Sequence, residues 1–235
     1  MFPLRLISIL ALSALASSTS DPVDCDVETN FQDPSLRAAI LSSVVPVNNK
    51  LPAPYRGANW GSAFGVLQIT AVQYLMDPNK VVIVNSPRTE LTTMAYISAD
   101  NGGGFEKLRL EQYAVYCIAR TANTLVVYLM DCTVDILDTT DLSEPPFESY
   151  RFSTAQRIDL PALKNDDFAD VRNTTNPPLT PSITLRVTYH PESIAELLAL
   201  ADTTATGYGV TFDNFRYGLK RSPGSRVPCP IDLSA

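Results

Sequence analysis

His190 is the only histidine among the 235 residues, so a serine or cysteine hydrolase of the usual kind would have to use its imidazole as the base. It directly precedes Pro191, and no G-x-S-x-G elbow occurs in the sequence. The ordinary alternative for such a residue is a capping or surface histidine. We therefore expect no catalytic set built on His190.

Three groups of carboxylates supply residue types that glycoside hydrolysis needs, since an acid and a base must flank the bond that is cleaved. The groups are Asp166, Asp167 and Asp170; Asp138, Asp141 and Glu144; and Asp24, Asp26 and Glu28. Closeness in sequence does not establish the required spacing. In a chain of formal net charge −7, solvated loop carboxylates are the common alternative, so the sequence predicts no catalytic carboxylate.

Tyr55, Asn59 and Trp60 form the best candidate ligand-binding set. A flat aromatic face stacks on the CH groups of a sugar ring, while an amide binds its hydroxyls. The single tryptophan of the chain lies here. The alternative is that Tyr55 and Trp60 plug the protein core, as large aromatic side chains usually do.

The four cysteines are Cys25, Cys117, Cys132 and Cys229. An even number in an exported chain predicts two disulfides, with three connectivities open. Because no C-x-x-C pair or Cys/His cluster occurs, a zinc site is not expected.

Two short motifs concern processing. Asn173-Thr174-Thr175 is the only N-glycosylation sequon, so Asn173 is the predicted glycosylation site. Lys220-Arg221 is a dibasic pair that a furin-like protease could cut, the alternative being an uncut surface pair.

Residues 1–16 have the pattern of a secretory signal peptide. Arg5 charges the first segment, residues 6–15 are almost entirely apolar, and Ala14-Leu15-Ala16 is a small-x-small cleavage pattern. We expect cleavage after Ala16, with Ser20 as the second choice. The apolar run is about half of the ~20 residues that a membrane-spanning helix needs. We therefore expect a secreted, extracellular protein without membrane insertion, and the acidic pI of about 4.7 argues against nucleic acid as a partner.

From Gly65 onward the chain consists of β-branched and aromatic runs separated by turn residues, which predicts ten short strands. They cover residues 66–70, 81–85, 94–98, 105–110, 114–119, 125–130, 133–137, 150–160, 182–189 and 208–217. Ten strands without alternating helices predict an all-β fold, a two-sheet antiparallel β-sandwich.

Two short peripheral helices are also predicted. Asp33-Pro34 reads as the start of one over residues 35–41, and Ile194, Leu197, Leu198 and Ala201 lie at helical spacing in another over residues 191–201. The expected organisation is a signal peptide (1–16), an N-terminal extension with a short helix (17–44), the β-sandwich (45–218) and a C-terminal tail (219–235).

Four segments in order resemble a broad group of secreted fungal jelly-roll proteins. Residues 51–61 match its P-x-x-Y-x-G-x-x-W entry, and Val84-Asn85-Ser86-Pro87 is similar to its strand end, with proline where glycine is more usual. Residues 108–117 with 131–134 resemble its paired-cysteine segment, and residues 209–215 resemble its closing strand. The similarity spans about residues 45–217.

This resemblance implies a jelly roll, an architecture like that of carbohydrate-binding modules. It also implies a Cys117–Cys132 bridge across a hairpin, leaving Cys25–Cys229 as a clasp between the termini. A plain turn at residues 121–123 would put Cys117 opposite residue 127 or 128, so the first bridge requires a bulge, a longer loop or adjacent-strand geometry.

Jelly-roll binding modules often hold a structural calcium ion between the first and last strands, and Asp213 and Asn214, with Asp26 or Glu28 opposite them, offer oxygen ligands of that kind. The alternative is a hydrogen-bonded tie between Asp213-Asn214 and a neighbouring turn. We expect no other cofactor.

The sequence favours a secreted extracellular glycan-binding or cell-surface interaction module without catalytic activity. Its expected partner is an extracellular glycan or a surface protein, and no oligomeric state is predicted. The alternatives are a polysaccharide hydrolase or lyase on the same scaffold and a secreted effector that binds another protein.

Overall fold

The computed structural model describes residues 22–31, 33, 35–36, 39–40, 50–69, 79–121, 127–138, 143–154 and 170–230. The predicted signal peptide and its cleavage sites lie outside these ranges. None of the helices in the described part of the chain is both long and apolar enough to cross a membrane.

The described chain is built mainly from β-strands. The strands are β1 (Cys25–Thr29), β2 (Ala39–Ile40), β3 (Ala58–Trp60), β4 (Phe64–Ile69), β5 (Asn79–Pro87), β6 (Thr92–Ala99), β7 (Phe105–Thr121), β8 (Val127–Leu137), β9 (Glu148–Phe152), β10 (Asp170–Asn173), β11 (Ser182–His190) and β12 (Ala205–Arg221). Between β11 and β12 lie a 3-10 turn (Pro191–Ile194) and the helix α1 (Ala195–Leu200).

These strands form one continuous, nearly barrel-like sheet in the order β2-β4-β5-β12-β7-β8-β11-β6-β3, with β1 added to β12, β10 to β7 and β9 to β8. Strand β8 turns the corner. Its first residues pair with β7, whereas Asp131 and the residues after it pair with β11. The all-β class is confirmed. A division into two separate sheets is not, and the jelly-roll connection stays a prediction.

Two pairs of predicted strands are each a single long strand. Residues 105–110 and 114–119 both belong to β7, and residues 125–130 and 133–137 both fall in the region of β8. Glu111 and Asp131 are the charged residues that lie between the members of each pair. In the structure Glu111 accepts a hydrogen bond from Arg109 at 2.7 Å and Asp131 accepts bonds from Thr154, so both carboxylates are satisfied without ending a strand.

The predicted helix over residues 35–41 is wrong. Ala39 and Ile40 form β2, which pairs in parallel with Leu67 and Gln68 of β4. The Asp33 carboxylate accepts hydrogen bonds from the Ser35 amide at 2.9 Å and the Ser35 hydroxyl at 2.7 Å. An aspartate makes such bonds in turns as readily as at a helix start, which explains why the signal was misleading.

The second predicted helix is confirmed over the 3-10 turn and α1, but its apolar face is only partly buried. Ile194 is 1% exposed, whereas Leu197 is 50% exposed and Leu200 is 86% exposed. Ile194, together with the partly buried Leu198, therefore packs this segment against the core.

Both predicted disulfides are confirmed. Cys25 bonds to Cys229, and Cys117 bonds to Cys132. Cys117 lies opposite Met130, and Arg120 opposite Val127, so the connection is longer than a tight turn and Cys132 lies diagonally across. The Cα atoms of this pair are 6.1 Å apart, at the corner where β8 leaves β7. Two disulfides indicate an oxidising environment.

Removing the terminal clasp should cost more stability than any surface substitution. The Cys25→Ala/Cys229→Ala variant removes a cross-link between two residues that are 204 positions apart in the sequence. In the chain-entropy model this lowers the free energy of unfolding by about 5 kcal/mol. Urea unfolding of both proteins measures the difference, and an unchanged midpoint would show that the clasp does not constrain the unfolded chain.

Candidate functional site

Tyr55 and Trp60 are core residues. They are 7% and 4% exposed, and the Trp60 indole N–H donates to the Tyr55 carbonyl at 3.2 Å. The indole lies edge-to-face on Phe64 and Phe215, with ring centroids 5.2 and 5.0 Å away. Neither ring has a face open to a sugar, so the structure supports core packing for both.

Asn59 is separated from these two rings. In β3 the buried side chains of Ala58 and Trp60 alternate with a half-buried Asn59, which projects to the opposite side of the sheet. There it pairs with Ser98 of β6. The predicted set is therefore not assembled, and Asn59 belongs to a different surface.

That surface is the outward side of β3, β6, β11, β8 and β9, called here the polar face. Its alternation is clear in β11, where Ile183, Leu185 and Val187 point into the core. The outward side carries side chains with hydrogen-bonding groups and a single exposed aromatic ring; they include Asn59, Tyr96, Ser98, Thr133, Asp135, Ser149, Arg186 and His190.

An ion pair fixes the centre of the polar face. The Arg186 guanidinium donates to the Asp135 carboxylate through Nε at 3.0 Å and Nη2 at 2.8 Å. Ser149 donates to the other carboxylate oxygen at 2.7 Å. The two residues are directly opposite each other on β11 and β8, so the backbone register positions the pair. Such a pair is a rigid set of polar atoms beside which a ligand could bind.

Tyr96 lies beside this ion pair. It is 40% exposed and pairs with Thr184, while its strand neighbours Ala95 and Ile97 are each 2% exposed. The register places Met94, two residues away, opposite Arg186. The Tyr96 hydroxyl lies 3.7 Å from the Met94 sulfur, which places the phenol ring along β6 near the ion pair. Tyr96 thus offers the exposed aromatic surface that Tyr55 and Trp60 lack.

His190 lies at one end of the polar face, at the last position of β11. Its Nε2 lies 2.9 Å from the Thr133 hydroxyl, and its Nδ1 lies 3.4 Å from the Glu192 carboxylate. A hydroxyl, an imidazole and a carboxylate in this order have the connectivity of a nucleophile, base and orienting group. The imidazole thus has polar partners at both ring nitrogens. Thr133 lies 57 residues away in the sequence, so local sequence carries no signal for this contact.

Asp131, next along β8, has a structural role. It accepts hydrogen bonds from the Thr154 amide and hydroxyl, both at 2.8 Å, and from Ser153 at 3.3 Å. Burial by itself raises the pKa of this carboxyl, but these bonds and one from Arg151 outweigh it, so its pKa lies below the ordinary value of 3.8. The carboxylate ties the chain that follows β9 to the corner of β8.

This pKa makes stability depend on pH. Because the unfolded carboxyl has the higher pKa, the contribution of Asp131 is complete above 3.8 and is lost as the pH falls through the folded-state pKa. The Asp131→Asn variant should lose about 1–3 kcal/mol near neutral pH, the cost of weakened bonds to a buried charge. Urea unfolding across a pH series should show the difference shrinking in acid, and a constant difference would contradict this role.

Of the two predicted opposing calcium ligands, Glu28 pairs with Arg216, three positions from Asp213, whereas Asp26 lies farther along the strand. Asp26 pairs with Gly218, five positions along β12 from Asp213, a separation of about 15 Å at the usual strand rise. Asp213 is 8% exposed, and its Oδ1 accepts a hydrogen bond from the Asn214 amide at 2.8 Å. In the described ranges, no three His, Cys, Asp or Glu side chains are grouped to hold a metal ion.

The remaining carboxylate groups are only partly described. Asp166, Asp167 and Asp141 lie outside the described residues. Asp24 accepts a hydrogen bond from the Arg221 amide at 2.8 Å, so it secures a strand end.

The two processing motifs lie on strands. Asn173 is exposed at the end of β10, opposite Gln112, and its modification stays a prediction. Lys220 and Arg221 form the end of β12 and pair with β7 rather than lying in a free tail, which favours the uncut alternative.

Comparison of the chain with protein-family models and with curated proteins finds no match. The fungal jelly-roll resemblance therefore depends on its four short motifs. The Cys117–Cys132 bridge lies within the paired-cysteine segment.

Proposed function

We propose that this protein is a secreted, non-catalytic module that binds an extracellular glycan through its polar face. The observation that carries the proposal is the exposed Tyr96 ring beside the fixed Arg186–Asp135 pair. Sugars are bound by aromatic faces that contact their CH groups together with planar polar groups that bind their hydroxyls. Two disulfides support an extracellular location for this activity.

The polar face is suited to an extended ligand because it crosses five strands. Asn59 and Ser98 lie toward β3, and Ser149 lies on β9 at the other side. Neighbouring strands are about 4.8 Å apart, so the outermost strands are separated by nearly 20 Å, the length of several sugar units. Backbone hydrogen bonds hold these positions in place, so little ordering is required when a ligand binds.

The Tyr96→Ala variant should weaken glycan binding by about tenfold or more, because truncating an aromatic anchor commonly costs over 1 kcal/mol. Its free energy of unfolding should change by less than about 0.5 kcal/mol, as for other exposed positions. A glycan array identifies the ligand, and titration calorimetry with that ligand measures the loss. Tyr96→Phe should retain most of the affinity.

Two further variants make this test specific. Val171→Ala, at a position that is 51% exposed on β10, should leave binding unchanged. Trp60→Ala should lose about 3–5 kcal/mol of stability, as buried aromatics do when truncated. Absence of any array signal from the folded wild-type protein, or equal binding by Tyr96→Ala, would contradict the proposal.

A polysaccharide hydrolase or lyase is the second candidate, and the Thr133–His190–Glu192 chain is the observation in its favour. In that case wild-type protein should release reducing ends or unsaturated products from a polysaccharide panel, and His190→Ala should reduce the rate by at least about a hundredfold. Equal product release by both proteins would exclude His190 as the base.

A further inference from the structure

A second group of polar side chains lies on β5, β12 and β7, strands that do not form the polar face. Gly207 of β12 pairs with Arg120 of β7, and Gly209 of β12 pairs with Asn85 of β5. Directly paired residues project to one side of an antiparallel sheet, as do residues two positions apart. Arg120, Gly207, Gly209 and Asn85 therefore share one side and are called here the Arg120 site.

The Arg120 guanidinium lies directly against Gly207. A Cβ atom at position 207 would be 2.5 Å from Arg120 Nη2 and 3.0 Å from the Ser86 carbonyl oxygen. Only glycine allows the guanidinium to lie this close to the strand. A glycine inside a strand commonly marks such a close approach. The guanidinium thus lies across β12 toward β5, the strand that carries Asn85.

Within the described ranges, no carboxylate forms an ion pair with the Arg120 guanidinium. Its Nε is buried and has no hydrogen-bond partner there. Burial lowers the pKa of Arg120, which reflects the cost of keeping this cation out of water. Arg109 and Arg186 are also partly buried, yet each pairs with a carboxylate at 2.7 or 2.8 Å. Arg120 is the exception among these three.

A second buried polar atom on the same side of the sheet also has no hydrogen-bond partner. It is the acceptor Asn85 Oδ1. Buried polar groups in proteins are nearly always satisfied, so two unsatisfied groups on one side of the sheet indicate a place where a polar ligand can bind.

We propose that the Arg120 site binds the carboxylate of a sugar acid. The planar guanidinium matches a carboxylate, with two parallel N–H···O bonds and cancellation of the buried charge. Asn85 Oδ1 accepts a hydrogen bond from a hydroxyl next to that carboxylate. A simple anion satisfies Arg120 alone, whereas a hydroxycarboxylate satisfies both groups. This site and the Tyr96 surface are on different strands, so either can exist without the other.

Glucuronate is the probe, with glucose as its uncharged counterpart and sodium chloride to match ionic strength. Glucuronate should raise the melting temperature of the wild-type protein in a saturable way, and glucose should not. Arg120→Gln should reduce the affinity for glucuronate by at least about tenfold, the usual effect of losing a charged hydrogen-bonding partner. Asn85→Ala should also weaken binding. The matched control is Arg226→Gln, which removes an exposed arginine elsewhere and should bind like wild type.

Arg120→Gln is expected to fold and, without ligand, to melt no lower than wild type, because an unpaired buried charge is removed. A lower melting temperature would show that Arg120 has a structural partner and would overturn the proposal. So would a glucuronate response that persists in Arg120→Gln, or a wild-type response equal to that of glucose or salt. Tyr96→Ala should retain the full glucuronate response, which separates this test from that of the polar face.

Discussion

A bulge in β12 at Asp213 and Asn214 is the constraint on which the rest of the sheet depends. Strand β12 pairs with β7 along nearly its whole length, but its other edge is divided between two partners. Residues 207–212 pair with β5, and residues 215–219 pair with β1. Asn214 has a φ of 48°, a left-handed conformation that asparagine tolerates better than most residues, and the Asp213 carboxylate accepts its amide. The extra residue directs both Phe212 and Phe215 into the core, with ring centroids 5.7 Å apart.

This bulge contains the two polar residues that the sequence places inside a predicted strand. Asp213 and Asn214 are poor strand formers, so their burial needs compensating polar contacts. The Asp213 carboxylate accepts a hydrogen bond from the Asn214 amide, and aromatic side chains pack around the bulge. Phe215 packs on the Trp60 indole, and Trp60 in turn contacts Phe31 at 5.6 Å. The bulge at Asp213 and Asn214 is therefore what lets Phe212 and Phe215 both contribute to the aromatic core.

Patterns confined to one segment could be predicted, whereas those that depend on distant strands could not. Alternation in Leu185-Arg186-Val187 reveals which side of β11 is buried, because the signal lies within the strand itself. The short strands β2 and β3 carry too few residues for such a signal, and Ala39 pairs with a strand that begins 25 positions later. The sequence predicts two strands where the structure has the single strand β8, which contains the buried Asp131. The Thr154 bonds that satisfy Asp131 come from 23 residues away and leave no trace near it in the sequence.

The candidate site residues also divide into those that a local pattern could predict and those that depend on distant strands. Asn59 and Trp60 are adjacent in β3, so they must point to opposite sides of the sheet, and residue type alone led to their being grouped. Tyr96 could have been found, because it alternates with the apolar Ala95 and Ile97 within a predicted strand. Arg120 could not have been found in this way, because only the folded structure shows whether a carboxylate lies beside its guanidinium. The chain has 18 basic and 25 acidic side chains, so acids are plentiful, and only the register of β7 against β12 and β5 places this cation over Gly207 and away from all described carboxylates. An arginine held in that way in an acidic protein contributes little to folding, and its position is best explained by an anionic group that the folded sheet receives from outside.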